Sequence, residues 1–302
     1  MKNNPLFSVL IANYNNGRYL QEAIDSVLAQ TYTNWEVILV DDKSTDNSFE
    51  IYERYKDDNR FHIYFNEENK GCGYTKRRCA ELANGELCGF LDPDDKLVDC
   101  ALETMVKEHD VRPGCSLIYS KAFFWNDIEG TEQVSEVIGP MENGEDFLVT
   151  SKNNVFHFAS FKKSAYDNTD GIDPFLSSVV DVDLYFRLEE VGLLYYVDKV
   201  LYYYRQTNPL SISIGACKNI NSLTKNHMVC SLNAFERRIK ARSPLFKKNR
   251  VKYLYRMRWQ LGTYKRMVGK TDGPLMRYCF WYWVANGCRL ESLNHIRKIV
   301  LR

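Results

Sequence analysis

At 302 residues with 45% hydrophobic content, the chain can bury a sizeable core and holds one large domain or a domain with an appendage. Its formal charge of +1, from 40 basic and 39 acidic residues, conceals an asymmetry: residues 1–215 carry 20 Lys and Arg against 36 Asp and Glu, whereas residues 216–302 carry 20 against 3. Nine scattered cysteines, with no CxxC pair and no histidines at ligand spacing, exclude a disulfide scaffold and a zinc ribbon and fit free thiols in a reducing cytoplasm.

The start, Met1-Lys2-Asn3-Asn4-Pro5, runs straight into a strand-like segment without the apolar core and cleavage site of a signal peptide. Strands are predicted near Phe7 to Ala12, Trp35 to Val40, Phe61 to Phe65 and Leu87 to Leu91. Helices are predicted between them, near Tyr19 to Gln30, Asn47 to Lys56 and Tyr74 to Ala83, the first with Leu20, Ile24, Val27 and Leu28 at helical spacing. Such alternation is the signature of βαβ units and a mostly parallel sheet, an α/β fold. A helix near Leu97 to Glu108 and a strand near Ser116 to Phe124 follow, and the irregular stretch from Asn126 to Asn154 is expected to hold loops over a site. A helix near Val182 to Val191 and strands near Leu194 to Tyr204 complete a domain over residues 1–215. Residues 216–302 read as basic, aromatic-rich helices separated at Ser243-Pro244 and Asp272-Gly273-Pro274. The uncharged stretch Tyr278 to Cys288 falls short of the roughly 20 apolar residues that span a bilayer, so no transmembrane helix is expected.

Two of the apolar runs end in acids. Val37 to Val40 leads into Asp41-Asp42, and Phe90-Leu91 into Asp92-Pro93-Asp94-Asp95. Carboxylates this close repel one another unless a cation neutralises them. In open α/β sheets ligands collect beyond the carboxyl ends of the strands, so both clusters are expected to face one bound molecule. The same residue types also form ordinary turns and helix caps.

The ordered blocks Ser8 to Asn15, Gln30 to Val37, Val40 to Ser48 and Phe90 to Asp95 resemble family 2 glycosyltransferases of the GT-A fold, which is Rossmann-like, with a mostly parallel central sheet flanked by helices. The resemblance covers about residues 6 to 213 and leaves the basic C-terminal region outside it. It implies an inverting enzyme that uses a nucleotide sugar and a divalent metal, Mn2+ or Mg2+. It assigns Tyr14 to stacking on a uracil ring and Asp42, with Asp41 beside it, to hydrogen bonding with the base. Asp92, Asp94 and Asp95 match the metal-binding acidic motif: Asp95 or its neighbour Asp94 binds the ion, and Asp92 and Asp94 contact the donor. Lys76 stands where an arginine is common, at a Gly-rich helix entry whose free N–H groups suit phosphates or sugar. Asp181, in Val180-Asp181-Val182-Asp183, is placed as the catalytic base, with Asp183 as fallback and helix capping as the other reading. Val180 departs from the family pattern, which has a glutamate there. Arg205 and Ser211 are candidates for phosphate contact, and a histidine common in their loop is missing around Thr207 and Asn208.

The implied activity is transfer from a UDP-sugar to a hydroxyl of a glycan or lipid-linked oligosaccharide acceptor in surface polysaccharide synthesis. The rivals are a silent nucleotide-sugar-binding scaffold and a sugar nucleotidyltransferase, whose Gly-rich signature loop and lysine are not evident. For the C-terminal region, the cations and aromatics of Arg250 to Trp259 and the run Tyr278 to Trp283 suit an anionic membrane surface, peripheral at the inner face of the cell membrane. A helical cap is the alternative, and no nucleic-acid module accompanies the charge.

Overall fold

The computed structural model describes residues 4–141, 146–150, 155–209, 211, 220–268 and 272–300. Two compact units emerge, Met1–Met141 with Lys152–Gly215 and Glu142–Ser151 with Ala216–Arg302. The bounds at 215 and 216 lie outside the described residues, as do Cys217 and the Ile212-Ser213 end of the phosphate-loop resemblance. The short segment 142–151 belongs to the helical unit although it sits within the acidic part of the sequence.

In the first unit, β1 (Phe7–Asn13), β2 (Trp35–Asp41), β3 (Phe61–Phe65) and β4 (Leu87–Phe90) run parallel in the order β3-β2-β1-β4. They alternate with α1 (Gly17–Leu28), α2 (Ser48–Tyr55) and α3 (Cys72–Leu82). Val9, Leu10 and Ile11 of β1 and Val37 to Val40 of β2 are completely buried, which is why both strands read as continuous apolar runs rather than alternating ones. α1 turns Leu20, Ala23, Ile24 and Val27 to this core. The register sets Asn13 opposite Asp41 and Leu10 opposite Phe90, so the ends of β1 and β2 and the residues after β4 share one sheet edge.

The remaining elements are β5 (Lys96–Leu97), α4 (Ala101–Val111), β6 (Cys115–Asn126), β7 (Thr131–Val134), β8 (Ala159–Lys162), α5 (Lys163–Asp167), α6 (Val180–Val191) and β9 (Leu193–Arg205). β8 pairs antiparallel between β4 and β6, and the sheet continues through β9 to β5, with β7 on β6. β5, β7, β8 and α5, at two to five residues each, are too short for hydrophobic periodicity to register. Of the described residues in 126–154, where loops over a site are expected, 126–134 make the β6–β7 hairpin, 135–141 are irregular, and 146–150 group with the second unit. The strands expected near Leu194 to Tyr204 are one strand, β9, whose register against β6 shifts near Lys121.

The second unit consists of α7 (Ile220–Lys240), α8 (Pro244–Val268), α9 (Gly273–Ala285) and α10 (Leu290–Val300). The breaks at Ser243-Pro244 and Asp272-Gly273-Pro274 are helix starts: Ser243 Oγ accepts from Phe246 N at 3.1 Å and Asp272 Oδ1 from Leu275 N at 3.0 Å. Phe235, Tyr253, Met257, Leu261, Tyr264, Leu275 and Tyr278 form its core. Buried Asp146 accepts from Tyr253 Oη at 2.9 Å and faces Arg238 at 3.5 Å, which ties its segment to α7 and α8. The aromatic run of α9 divides, Tyr278 and Tyr282 inward and Phe280 outward. No helix among the described residues is long and apolar enough to cross a membrane.

Candidate active site

A cleft of about 300 Å³ opens at the carboxyl edge of β1, β2 and β4, walled by α3 and the start of α6. Tyr14, Asp42, Lys76, Asp92, Asp94, Asp181 and Ser211 all line it. The two acid clusters, about 50 residues apart in sequence, therefore meet in one place because parallel strands end on the same side.

Asp42 is held as an acceptor. Its Oδ1 receives Asn66 Nδ2 at 2.7 Å and Lys70 N at 2.8 Å, and its Oδ2 receives Gly71 N at 2.8 Å. Gly71 has φ +87°, a left-handed conformation that lets its amide turn back to Asp42 at the head of α3. Gly73 lies where a Cβ would meet the Leu176 carbonyl at 2.6 Å, so α3 packs backbone to backbone on the loop before α6. These contacts occupy several of the amides at the head of α3, where the sequence expects N–H groups for phosphate. The Lys70 and Gly71 amides are taken by Asp42, and that of Gly73 by the Leu176 carbonyl. Tyr14, just past β1, is half exposed, its ring at the mouth of the cleft.

Asp41 is corrected to a structural role. It is buried, accepts from Tyr52 Oη at 2.6 Å and from Ser44 N at 2.8 Å, and does not line the cleft. Burial and this carboxylate both raise the Tyr52 phenol, so the proton stays on Tyr52. Asp95 is likewise turned inward: Tyr202 Oη donates to it at 2.7 Å and Arg205 N at 2.8 Å. Burial, with Asp94 and Asp92 nearby, raises its pKa well above the carboxylate range, and it does not line the cleft. Arg205 is also corrected. Its guanidinium is buried between the Tyr19 and Trp125 rings, donates to the Asp94 carbonyl at 2.7 Å, and pairs with Asp127 and Glu22. A guanidinium so engaged braces the end of β9 rather than offering itself to phosphate.

The centre of the cleft is an ion cluster. Lys76, 5% exposed, places its Nζ 2.8 Å from Asp92 and 2.9 Å from Asp181. Burial lowers the ammonium pKa, but the two carboxylates outweigh that and hold it well above the usual value. His157, which no sequence pattern marked, completes the cluster: its Nε2 lies 3.4 Å from Asp181 and 3.8 Å from Asp92, and its ring stacks on Tyr202 at 5.3 Å. Burial lowers the imidazole and the two carboxylates more than restore it, so its pKa is raised. For Asp181 burial raises the pKa, yet Lys76 and His157 overcome it and keep the carboxyl below the usual range. Asp94 sits beside this group, its Oδ2 accepting from Asn208 Nδ2 at 2.7 Å, and burial together with Asp92 raises its pKa.

Asp183, the fallback base, is fully buried and pairs with Arg187 at 2.8 Å, one turn on in α6, so it braces that helix. Val180 is 2% exposed at the cleft wall. Cys72 also lines the cleft, but burial pushes its thiol up to about 12, which excludes a thiolate nucleophile at neutral pH. Among the described residues, no three His, Cys, Asp or Glu side chains converge into a metal cage.

The family model described as Glycosyl transferase family 2 matches residues 8–169. A chondroitin synthase of Escherichia coli is 30% identical over 204 residues, 67% of this chain and 29% of that protein. A Campylobacter jejuni GalNAc(5)-diNAcBac-PP-undecaprenol beta-1,3-glucosyltransferase is 28% identical over 228 residues, 71% of this chain and 69% of its own length. The chain spans less than a third of the chondroitin and hyaluronan synthases it matches. In fold it is similar to residues 1–349 of S. aureus TarS in complex with UDP-GlcNAc, with TM-score 0.61 and 16% identity over 97% of this chain and 90% of that one. It is also similar to the mannosyltransferase PcManGT of Pyrobaculum calidifontis in complex with GDP-Man and Mn2+, with TM-score 0.59 and 16% identity over 97% of this chain and 83% of that one. The matched span covers more than half of the sequence, and the strand-end acids lie within it: the chain belongs to glycosyl transferase family 2, a family of glycosyltransferases with the GT-A fold.

Proposed function

We propose that the chain is an inverting, metal-dependent glycosyltransferase that moves a sugar from a UDP-sugar to a hydroxyl of a glycan or lipid-linked acceptor in surface polysaccharide synthesis. The observation that carries this reading is that Asp181 shares one cleft with Asp42, Asp92 and Asp94 and is joined to Asp92 through Lys76. α3 sets the spacing: Asp42 is held at Gly71 and the ion cluster at Lys76, about 7.5 Å farther along the helix.

Tyr14 stacks on the base, and Asp42, whose carboxylate is fixed by three donors, accepts its ring N–H. Asp92, Asp94 and Ser211 receive the ribose and diphosphate side of the donor. Asp94, with Asp92 beside it, fits a hard divalent cation: both are oxygen donors on the cleft, and their mutual repulsion is relieved by positive charge. Asp94 and Asp92 would hold Mn2+ or Mg2+ there, and the ion would supply positive charge to stabilise the departing nucleotide. Lys76 adds the buried positive charge of the site.

Asp181 takes the proton of the acceptor hydroxyl as its oxygen bonds to the anomeric carbon and the bond from that carbon to the diphosphate oxygen breaks. Attack from the side opposite the nucleotide inverts the anomeric centre. Lys76 and His157 keep Asp181 ionised at neutral pH, in the deprotonated form that a general base requires. The enzyme then works in the cytoplasm, at the inner face of the membrane. The complexes of TarS with UDP and UDP-GlcNAc support a UDP-sugar donor, and that of PcManGT supports Mn2+.

Calorimetric titration with UDP, GDP and dTDP, with and without Mn2+, tests the donor site, followed by transfer from UDP-sugars to glycan acceptors. UDP binding that needs Mn2+, followed by transfer with inversion, is expected. Nucleotide binding without transfer to any acceptor would instead favour a silent binding protein, to which the buried Val180 and the Asn208–Asp94 contact lend support.

A further inference from the structure

α8 is basic throughout: residues 244–268 contain eight Lys and Arg and no acid. Packing sorts its side chains. Tyr253, Met257, Leu261 and Tyr264 are buried in the helical unit. On the opposite side Val251 is 81% exposed, Tyr255 74% and Trp259 48%, a stripe with the i, i+4, i+8 spacing of one helix face. Lys252 and Arg258, both exposed, flank that stripe, and Arg256 lies 4.9 Å from the Trp259 ring.

We propose that this outward face of α8 docks on the surface of an anionic lipid bilayer. An exposed helix face gains nothing in water from three bulky side chains of this kind, whereas an interface accommodates each residue type present. The aliphatic Val251 and the Trp259 and Tyr255 rings enter the headgroup boundary, where Trp and Tyr partition. The cations beside them meet lipid phosphates, and the absence of any acid in α8 leaves no repulsive contact with that surface. Nucleic acid or a polyanionic glycan would match the charge, but neither uses an exposed aliphatic Val251 in the stripe. The inference deepens the peripheral location proposed above and is independent of sugar transfer, because binding is read without nucleotide sugar.

The full chain is sedimented with vesicles of phosphatidylglycerol mixed with phosphatidylcholine and with vesicles of phosphatidylcholine alone. Binding to the first, weakened by salt, and little binding to the second are expected. Each cation near an anionic surface is worth about fivefold in binding, so Lys252→Glu with Arg258→Glu should weaken binding by about 25-fold or more. Tyr255→Ser with Trp259→Ser should weaken it without changing the salt dependence, and circular dichroism of both variants should match the parent because all four side chains are exposed. Equal binding to both vesicle types, binding unchanged in both folded variants, or a stripe covered instead by a second copy, seen as a concentration-dependent dimer that the variants abolish, would overturn the proposal.

Discussion

Replacing Lys76 with methionine keeps the buried alkyl stem and removes only the charge that joins Asp92 to Asp181. Both carboxylates lie within 2.9 Å of the same ammonium, so their oxygens are at most about 6 Å apart and face each other once it is gone. At an effective dielectric of about 20 that repulsion is about 3 kcal/mol, and breaking a buried pair by removing one partner typically costs about 3 to 5 kcal/mol. For a chain of this size the unfolding temperature should fall by about 6 °C or more at pH 7. The loss should depend on pH. In the parent, the Asp181 pKa is depressed, so its contribution is present above the unfolded carboxylate value of about 3.9 and is lost as pH falls through the lower folded value. In Lys76→Met a carboxylate of the pair is raised instead, and protonation relieves the repulsion as pH falls. The gap between parent and variant, measured by urea or thermal unfolding from pH 7 down to pH 5, should therefore narrow. An unchanged unfolding temperature at pH 7, or a gap independent of pH, would refute the idea that Lys76 acts as the counter-charge of this cluster.

Asp181→Asn should leave UDP binding within about twofold while lowering transfer by about 10²- to 10⁴-fold, measured by calorimetry and single-turnover kinetics; retained transfer would remove Asp181 as the base. Asp94→Asn should weaken Mn2+-dependent UDP binding. Asp95→Ala should instead lower stability by about 1 to 3 kcal/mol for each buried hydrogen bond lost, with metal dependence intact, and the reverse pattern would move the ion to Asp95. The raised pKa of His157 contributes stability that is complete below the unfolded imidazole value of about 6.5 and is lost as pH rises through the higher folded value. His157→Gln should therefore flatten the decline in unfolding temperature above about pH 6.5, and parallel curves for parent and variant would show that His157 carries no proton in the cluster.

Much of the first unit follows from sequence because its signals are local. Strands β1 and β2, buried on both faces, spell themselves as apolar runs, and the helices between them carry their buried stripe at helical spacing. Parallel strands ending on one edge then put Asp42 and the Asp92–Asp94 pair on one cleft without further information. What sequence could not decide is which way each acid faces. Asp41 and Asp42 are neighbours, and so are Asp94 and Asp95, yet successive residues at a strand end or turn point to opposite sides. One member of each pair is sealed by Tyr52 or Tyr202 while the other meets the cleft. Arg205 resembles a phosphate ligand in sequence and becomes an internal brace because Asp127 and Glu22 arrive beside it from distant elements. His157 carried no signal at all, being one of five histidines with no partner nearby in sequence. Only the insertion of β8 between β4 and β6, with Ser160 opposite Gly89, brings it to Asp181 and Asp92, because antiparallel pairing sets the residues before β8 beside those after β4. Periodicity and composition are properties of neighbouring residues and determine the elements and their order. The charge state and direction of the catalytic candidates depend on groups that are distant in the chain, such as Lys76 for Asp181 and Asn208 for Asp94, and only tertiary packing sets those.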